Sequence, residues 1–154
     1  MELKTQIHAK DGEQELHITR QFDLPVELIF KAYVEADIVA QWMGTNVIKL
    51  EAKRHGSYQL ETTDPKGNKH RFSGTIHDCT PQQKIIRTFE MEGTPFGVQL
   101  EIYTFEALSE STSKLSMHVI YESVALRDQV LQLPFKQGIN MAHNRIEELL
   151  RKQK

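Results

Sequence analysis

Histidine is the residue type in this chain that could serve most kinds of chemistry, because imidazole binds metals and transfers protons near neutral pH. The sequence contains seven histidines: His8, His17, His55, His70, His77, His118 and His143. No HExxH motif or paired Cys/His spacing marks a metal site. His70 and His77 occupy odd and even positions of one predicted strand, so their side chains point to opposite faces. We therefore expect structural or surface roles for the histidines and predict no metal ion and no cofactor.

Nucleophilic catalysis has no recognisable signature in the sequence either. A GxSxG motif, a phosphate-binding loop and a dinucleotide fingerprint are all absent from the sequence. The single cysteine, Cys79, precedes the turn signal Thr80-Pro81 and is expected to be a buried, inert thiol. No catalytic residue is predicted, and the sequence favours binding over catalysis.

The composition limits the partners and the compartment. Hydrophobic residues make up 39% of the 154-residue chain and charged residues 26%, with a formal net charge of -2. No basic stripe is present to neutralise phosphates, so nucleic acid is not an expected partner. No apolar run approaches the roughly 20 residues that span a bilayer, and residues 1–4 lack the apolar core of a secretory signal. With only one cysteine, these features predict a cytoplasmic protein without a membrane span.

The chain opens with strand-like alternation. Apolar residues recur at every second position on both sides of Asp11-Gly12, which is typical of two strands joined by a tight turn. Whether residues 3–9 pair as a strand or lie as an arm stays open at this point.

Two short helices are predicted next. Asp23 or Leu24 is the expected cap of the first helix, with Pro25 in its first turn, where a missing N–H costs nothing. The second helix carries apolar residues at helical spacing and should end at Gly44.

From residue 46 to residue 122 the pattern predicts about six further strands. Their expected ranges are 46–53, 57–63, 70–78, 84–91, 97–107 and 114–122. Apolar and polar residues alternate most clearly around Tyr58, Phe72 and Leu115, as in strands with one face on a core and one face in water.

The end of the chain is predicted to be helical. Ser123 can cap a short helix, and Pro134 should break it before a long final helix begins. That final helix carries one apolar stripe, formed by Phe135, Ile139, Ala142, Ile146 and Leu149. The basic run that ends the chain, residues 151–154, suits a helix C-terminus.

Only this helix is long enough to cover the apolar face of the strands. The expected architecture is therefore α+β: a curved antiparallel sheet of six to seven strands wrapped around a long C-terminal helix, in one domain over residues 1–154. Two short helices follow the first strand.

Three stretches in this order resemble a known superfamily, called START-like, SRPBCC or helix-grip. The stretches are residues 18–33 (ITRQFDLPVELIFKAY), the hairpin signals at 56–58 (GSY), 64–68 (DPKGN) and 72–74 (FSG), and the closing helix from 135–140 (FKQGIN) to 145–150 (RIEELL). Within it, the chain resembles the branch named after the C-terminal domain of the activator of the ninety-kilodalton heat-shock chaperone's ATPase. The resemblance covers roughly residues 14–151.

The resemblance implies a cavity between the sheet and the long helix, which in relatives binds lipids, sterols, polyketides or hormones or hosts catalysis. Fold alone does not choose among these functions. The chain departs from the family pattern at Ala36-Asp37, where Asp-Pro is usual, and at Trp42-Met43, where two aromatic residues are usual. Met43 is softer than an aromatic ring, so the mouth of the cavity is expected to differ from that of close relatives.

The residues expected around the cavity come from the inward faces of the strands, the second helix and the final helix. They are Trp42, Met43, Tyr58, Phe72, Ile76, Arg87, Phe89, Met117, Tyr121, Gly138, Met141, Ala142 and Arg145.

The orientation of several polar residues stays open. Arg87 faces inward if Ile85 and Phe89 do, but the neighbouring alternation allows the opposite register. Glu101 faces outward if Leu100 and Ile102 face inward. On the final helix Asn140, Met141, His143 and Arg145 border the apolar stripe, and a solvated flank is the favoured interpretation for each.

Three functions fit these observations. The favoured one is binding of an apolar small molecule that is lipid-like, aromatic or polyketide-like. The alternatives are a co-chaperone-like module that binds a protein partner and a cyclase- or hydrolase-type enzyme that uses the same cavity. A chaperone partner is only weakly supported, because the co-chaperone's separate N-terminal domain has no counterpart in this sequence, and a homodimer stays open.

Overall fold

The structure is a computed structural model that describes residues 4–152. Within them, eight strands form one antiparallel sheet in the order β1-β2-β8-β7-β6-β5-β4-β3. The strands are β1 (Gln6–His8), β2 (Glu15–Phe22), β3 (Asn46–Leu50), β4 (Ser57–Thr63), β5 (Lys69–Thr80), β6 (Lys84–Met91), β7 (Val98–Ala107) and β8 (Ser113–Ile120). The helices are α1 (Val26–Val34), α2 (Ala36–Met43), α3 (Val124–Gln132) and α4 (Phe135–Arg151).

The predicted α+β class, the antiparallel sheet and the C-terminal helix are confirmed. The sheet has more strands than expected because residues 6–8 pair with β2, which answers the question left open for residues 3–9. The turn at Asp11-Gly12 is present, with Gly12 at a φ of 82°. It belongs to a longer connection than a tight hairpin, since β1 ends at His8 and β2 begins at Glu15. Residue 3 of the predicted strand and residues 153–154 of the basic run lie outside the described part of the chain.

The start of α1 differs from the prediction for a tertiary reason. Pro25 is the N-cap, with φ of −61° and ψ of 150°, so neither Asp23 nor Leu24 caps the helix. The backbone N–H of Asp23 donates to Glu147 Oε1 at 2.8 Å, and the carbonyl of Leu24 accepts from Ser113 Oγ at 2.8 Å. These contacts hold both residues in the loop before the helix.

The other helix boundaries follow the prediction. Gly44 ends α2 in the left-handed region, with φ of 62° and ψ of 43°. The side chain of Ser123 caps α3 by accepting from the N–H of Leu126. Pro134 separates α3 from α4 and serves as the N-cap of α4. Among residues 4–152, no helix combines the length and apolarity needed to cross a membrane.

The buried face of α4 is more polar than the predicted stripe. Ile146 is fully buried, but the other stripe residues are only half-buried, and the remaining buried residues of the helix are Asn140, His143, Glu147 and Leu150. The expectation of a solvated flank is therefore wrong for Asn140 and His143 and holds for Met141 and Arg145, which are exposed.

An ion pair inside the protein explains this polar face. Arg20 on β2 is 1% exposed, and its Nη2 donates to Glu147 Oε2 at 2.9 Å. Nη1 of the same guanidinium donates to Thr5 Oγ1 at 3.3 Å, and the guanidinium lies 5.1 Å from the centre of the Phe22 ring. Glu147 also accepts from the backbone N–H of Asp23, so its carboxylate joins α4 to β2 and to the segment that follows β2.

Two more residues of α4 complete this network. The backbone N–H of Thr5 donates to Asn140 Oδ1 at 3.1 Å, and its hydroxyl lies 2.8 Å from His143 Nδ1. Within the described part of the chain, every buried side-chain nitrogen or oxygen has a hydrogen-bond partner. We call Thr5, Arg20, Asn140, His143 and Glu147 the helix-anchoring network.

Removing Glu147 should be strongly destabilising, because it leaves the Arg20 guanidinium buried without a counter-charge. For Glu147→Leu we expect a loss of about 3–5 kcal/mol in the free energy of unfolding, measured by urea denaturation. The double variant Arg20→Met/Glu147→Leu should recover part of that loss, since neither charge is then stranded. Glu148→Leu, on the exposed neighbour, is the matched control and should change stability by less than about 0.5 kcal/mol. A double variant less stable than the single one would contradict this role for the pair.

His143 should make stability depend on pH. Burial, and then the nearby Arg20 charge, lower the pKa of His143 from 6.5 to about 3. Between these values the unfolded chain binds a proton that the folded protein excludes, so stability falls as the pH drops from about 6.5 towards 3.

When the pH is lowered from 7 to 5, the free energy of unfolding should fall by about 1–2 kcal/mol more in the unmodified protein than in His143→Gln. Urea denaturation at both pH values measures the difference. His77→Gln, at an exposed histidine, should keep the original pH dependence. Parallel stability curves for His143→Gln and the unmodified protein would show that His143 is not the group that titrates.

Candidate ligand cavity

The inward faces of β6 and β7 carry polar residues among aromatic ones. Arg87 on β6 lies directly opposite Glu101 on β7, and Phe89 lies opposite Gln99. Ile85 is buried on the same face of β6, which settles the register of that strand with Arg87 inward. Alternate positions of a strand share a face, so the inward set on β7 includes Glu101.

Glu101, whose orientation the sequence left open, therefore faces inward. Glu101 is buried, whereas Leu100 and Ile102 are half-buried on the outer face of the sheet. The sequence could not decide this orientation, because both faces of β7 carry apolar residues. Period-two spacing cannot tell which of two such faces meets the core.

Hydrogen bonds join the inward polar side chains into one cluster. Arg87 Nε donates to Glu101 Oε1 at 2.8 Å, and its Nη2 donates to the Tyr103 hydroxyl at 2.9 Å. The Tyr103 hydroxyl in turn donates to Glu101 Oε1 at 3.0 Å. Gln99 Nε2 donates to the other carboxylate oxygen of Glu101 at 2.8 Å. We call Arg87, Gln99, Glu101 and Tyr103 the cavity polar cluster.

The surroundings fix the charge state of this cluster. The Arg87 guanidinium lies 4.8 Å from the centre of the Tyr58 ring and 5.0 Å from that of Tyr103. Burial opposes its charge, but Tyr103, Tyr58 and Glu101 together raise the pKa of Arg87 well above its ordinary value. Burial also raises the pKa of both tyrosines, so they remain protonated hydrogen-bond donors. Arg87 therefore carries a fixed positive charge, while the hydroxyls of Tyr58 and Tyr103 already donate to Thr88 and Glu101.

Gly74 on β5 permits this arrangement. A Cβ atom at Gly74 would overlap the carbonyl oxygen of Thr88 and lie 2.7 Å from the Tyr58 hydroxyl. That hydroxyl donates to the Thr88 carbonyl at 2.5 Å, which holds the Tyr58 ring beside Arg87. A glycine is needed here because the Thr88 carbonyl oxygen and the Tyr58 hydroxyl occupy the space that a side chain would need.

Two cavities adjoin the cluster. The larger one has a volume of about 290 Å³ and is partly open to solvent, between the sheet and the junction of α3 with α4. Its walls are formed by Phe72, Phe89, Glu90, Met91, Phe96, Gly97, Gln99, Tyr121, Val130, Leu133 and Phe135. The smaller one is a gap of about 10 Å³, with room for about one water molecule. It is lined by Tyr33, Val39, Trp42, Met43, Leu50, Tyr58, Leu60 and Arg87. Gln99 faces the larger space and Arg87 the smaller, and Glu101 binds both side chains.

The structure divides the predicted cavity residues into three groups. Seven of them line one of these two cavities: Phe72, Phe89 and Tyr121 the larger one, and Trp42, Met43, Tyr58 and Arg87 the smaller one. Arg145 lines, together with Trp42, a separate and more open groove of about 190 Å³. Ile76 and Met117 are buried in the hydrophobic core, and Ala142 is half-buried against it. Gly138, Met141 and Arg145 are exposed on α4, and Arg145 Nη1 donates to the Trp42 carbonyl at 3.5 Å.

Sequence reasoning missed much of the polar cluster and the α3 side of the cavity. Gln99, Glu101 and Tyr103 alternate along β7 just as Ile85, Arg87 and Phe89 do along β6, which was a usable signal once the pairing was known. Val130 and Leu133 gave no signal, since the apolar and polar residues of α3 do not separate onto two faces and Leu133 follows its last turn.

Other chemical groups lie away from the cavities. Burial raises the pKa of the Cys79 thiol, which fits the expected inert thiol, although the residue is only half-buried. On the outer face of the sheet, Glu15, His17 and His118 place one ligand atom each within 4.8 Å of one another.

Comparison with known proteins places the chain in a class and then in a family. The fold is that of the START-like superfamily, also called SRPBCC. The sequence model of the family described as "Activator of Hsp90 ATPase homolog 1-like protein" matches residues 23–151, and the chain belongs to this family. No curated protein sequence matches the chain.

Solved structures share the fold at low sequence identity. A protein from Rhodobacter sphaeroides is 18% identical with a TM-score of 0.87, and the match covers 97% of this chain and 99% of that one. A Mycobacterium smegmatis protein is 22% identical with a TM-score of 0.80, over 94% and 95% of the two chains. A Nitrosomonas europaea protein is 19% identical, also with a TM-score of 0.80, over 94% and 98%. At these identities the likeness concerns the fold alone.

Proposed function

We propose that the protein binds a small, mainly apolar molecule in the larger cavity, between the sheet and the α3–α4 junction. The observation that carries this proposal is a space of about 290 Å³ with aromatic walls and one polar cluster at its side. Ligand sites in proteins have volumes of roughly 300–1,000 Å³ and combine apolar walls with a few placed polar groups, so this space is at the lower limit of that range and suits a small ligand. Membership of a START-like family supports the same function, since relatives use this part of the fold for ligands.

The walls define the chemistry of the ligand. Phe72 and Phe89 stack with centroids 5.5 Å apart and planes at 24°, and together they offer an extended flat surface to an apolar body. Gln99 is the cluster residue that faces this space, and Glu101 holds its amide group in place. The expected ligand is lipid-like, aromatic or polyketide-like, with a hydroxyl, carbonyl or acidic group that meets Gln99.

The remaining parts of the proposal concern the setting of the protein. We include a cytoplasmic location and a single domain over residues 1–154, and a homodimer is compatible with the same cavity. The family description favours a second function, binding of a chaperone partner, and a pull-down that recovers a chaperone without any effect of ligand would support that alternative. Catalysis in the cavity remains the third alternative, with Tyr103 and Arg87 as its polar groups.

Filling the cavity should abolish binding. Val130 is half-buried and lines the larger cavity from α3, so Val130→Trp places an indole in the proposed ligand space. We expect the affinity for an aromatic probe, anilinonaphthalene sulfonate, to fall at least about tenfold, equivalent to about 1.4 kcal/mol. Probe fluorescence and the rise in melting temperature on ligand addition measure the change.

Gln129→Trp is the matched control for this experiment. It adds the same indole to the exposed face of the same helix and should leave probe affinity unchanged. Native mass spectrometry of protein purified from its source would identify a bound metabolite. Equal affinities for Val130→Trp and the unmodified protein would remove the cavity as the binding site.

The polar cluster should discriminate between ligands that have a polar group and ligands that have none. In Gln99→Leu the carboxylate of Glu101 keeps Arg87 and Tyr103 as partners, so the strand should remain folded. Loss of one net hydrogen bond of about 1 kcal/mol should weaken binding of the sulfonate probe about fivefold. Naphthalene, which has no polar group, should bind the variant at least as tightly as the unmodified protein. A uniform loss for both compounds would show that Gln99 shapes the cavity without orienting the ligand.

A further inference from the structure

Three histidines stand side by side on the outer face of the sheet. His8 on β1 lies directly opposite His17 on β2, and His17 lies directly opposite His118 on β8. Directly opposed residues of antiparallel strands share a face, with Cβ atoms about 4.5–5.5 Å apart. Strand pairing creates this row, since the three histidines lie on three different strands.

A carboxylate closes the group. Glu15 lies two positions before His17 on the same face of β2. Its Oε1 is 3.5 Å from His17 Nε2, and its Oε2 is 2.9 Å from His118 Nε2. The His17 and His118 rings stack with centroids 4.3 Å apart and planes at 16°, so both Nε2 atoms meet the same carboxylate. The hydrogen bond from His118 lowers the pKa of Glu15, which keeps the carboxylate charged.

We propose that Glu15, His17 and His118 form a binding site for one zinc ion on the outer face of the sheet, with His8 available as a fourth ligand. This site is separate from the ligand cavity, which lies on the opposite face.

The geometry suits zinc. Imidazole nitrogen and carboxylate oxygen are ordinary zinc ligands at about 2.0–2.2 Å, so two ligand atoms on one tetrahedral ion lie roughly 3.4 Å apart. The ligand atoms of Glu15, His17 and His118 already lie within 4.8 Å of one another, and His17 is exposed while Glu15 and His118 are half-buried. We expect small side-chain rotations to bring the three atoms onto one ion. Magnesium is a poor fit, because it prefers oxygen ligands in an octahedral arrangement.

Zinc at this position would join β2 to β8, and β2 also carries part of the helix-anchoring network. His17 and His118 belong to β2 and β8, and β2 also carries Arg20 on its inner face. An ion that bridges the two strands stabilises the folded chain, because the unfolded chain does not hold the three ligands together. The site therefore acts as an external clamp on the sheet, independent of whether the cavity holds a ligand.

The test uses the full chain after removal of metals with a chelator and dialysis. Isothermal titration with zinc chloride should give one ion per chain, and zinc should raise the melting temperature, whereas magnesium chloride should do neither. His17→Gln and His118→Gln should each weaken zinc binding at least about tenfold, the loss that follows removal of even an outer partner of a metal ligand. His8→Gln should weaken it less.

The matched control is the second histidine pair. His55 and His77 lie with ring centroids 5.4 Å apart on another part of the protein, in an edge-to-face arrangement. His77→Gln should therefore leave zinc affinity and the melting-temperature shift unchanged.

The imidazole proton signals of His17 and His118 should also move on addition of one equivalent of zinc, which distinguishes direct ligation from a general effect on folding. Zinc binding that survives both His17→Gln and His118→Gln, or that is lost in His77→Gln, would overturn the proposal. So would the absence of any zinc-dependent change.

Discussion

The carboxylate of Glu147 connects the elements that shape this protein. One of its oxygens accepts from the Arg20 guanidinium on β2, and the other accepts from the backbone N–H of Asp23. Both charges are buried, so each depends on the other and on the hydrogen bonds of Thr5 and Asn140 for compensation. An interaction of this kind allows one position of α4 relative to β2, because any displacement strands a charge in a nonpolar interior.

This fixed position explains where space remains. The network and Leu150 hold the middle and the C-terminal part of α4, whereas the beginning of α4 and the end of α3 stand over the other side of the sheet. There Phe135, Leu133 and Val130 meet the inward residues of β5 to β7 without filling the gap. The cavity is thus the consequence of a helix that is anchored over one part of a curved sheet and cannot pack closely against all of it.

Polar groups occupy both sides of the interior in different roles. In the helix-anchoring network the hydrogen bonds run between a strand and a helix, and His143 is kept neutral by burial. In the cavity polar cluster they run between neighbouring strands, from Arg87 and Gln99 to Glu101, at the wall of an open space. The first arrangement joins a helix to the sheet, and the second joins neighbouring strands beside the cavities.

The sequence by itself determined the α+β class, most strand ranges, the end of α2 at Gly44 and the break at Pro134, because these depend on local periodicity and on the backbone restrictions of glycine and proline. It also predicted inward positions for Phe89, which lines the larger cavity, and for Tyr58, which lines the smaller one. Only the tertiary structure decided that Glu101, Asn140 and His143 face inward and that His8, His17 and His118 form a row. Strand register and helix rotation set these positions, and both depend on partners distant in the chain, which periodicity does not encode.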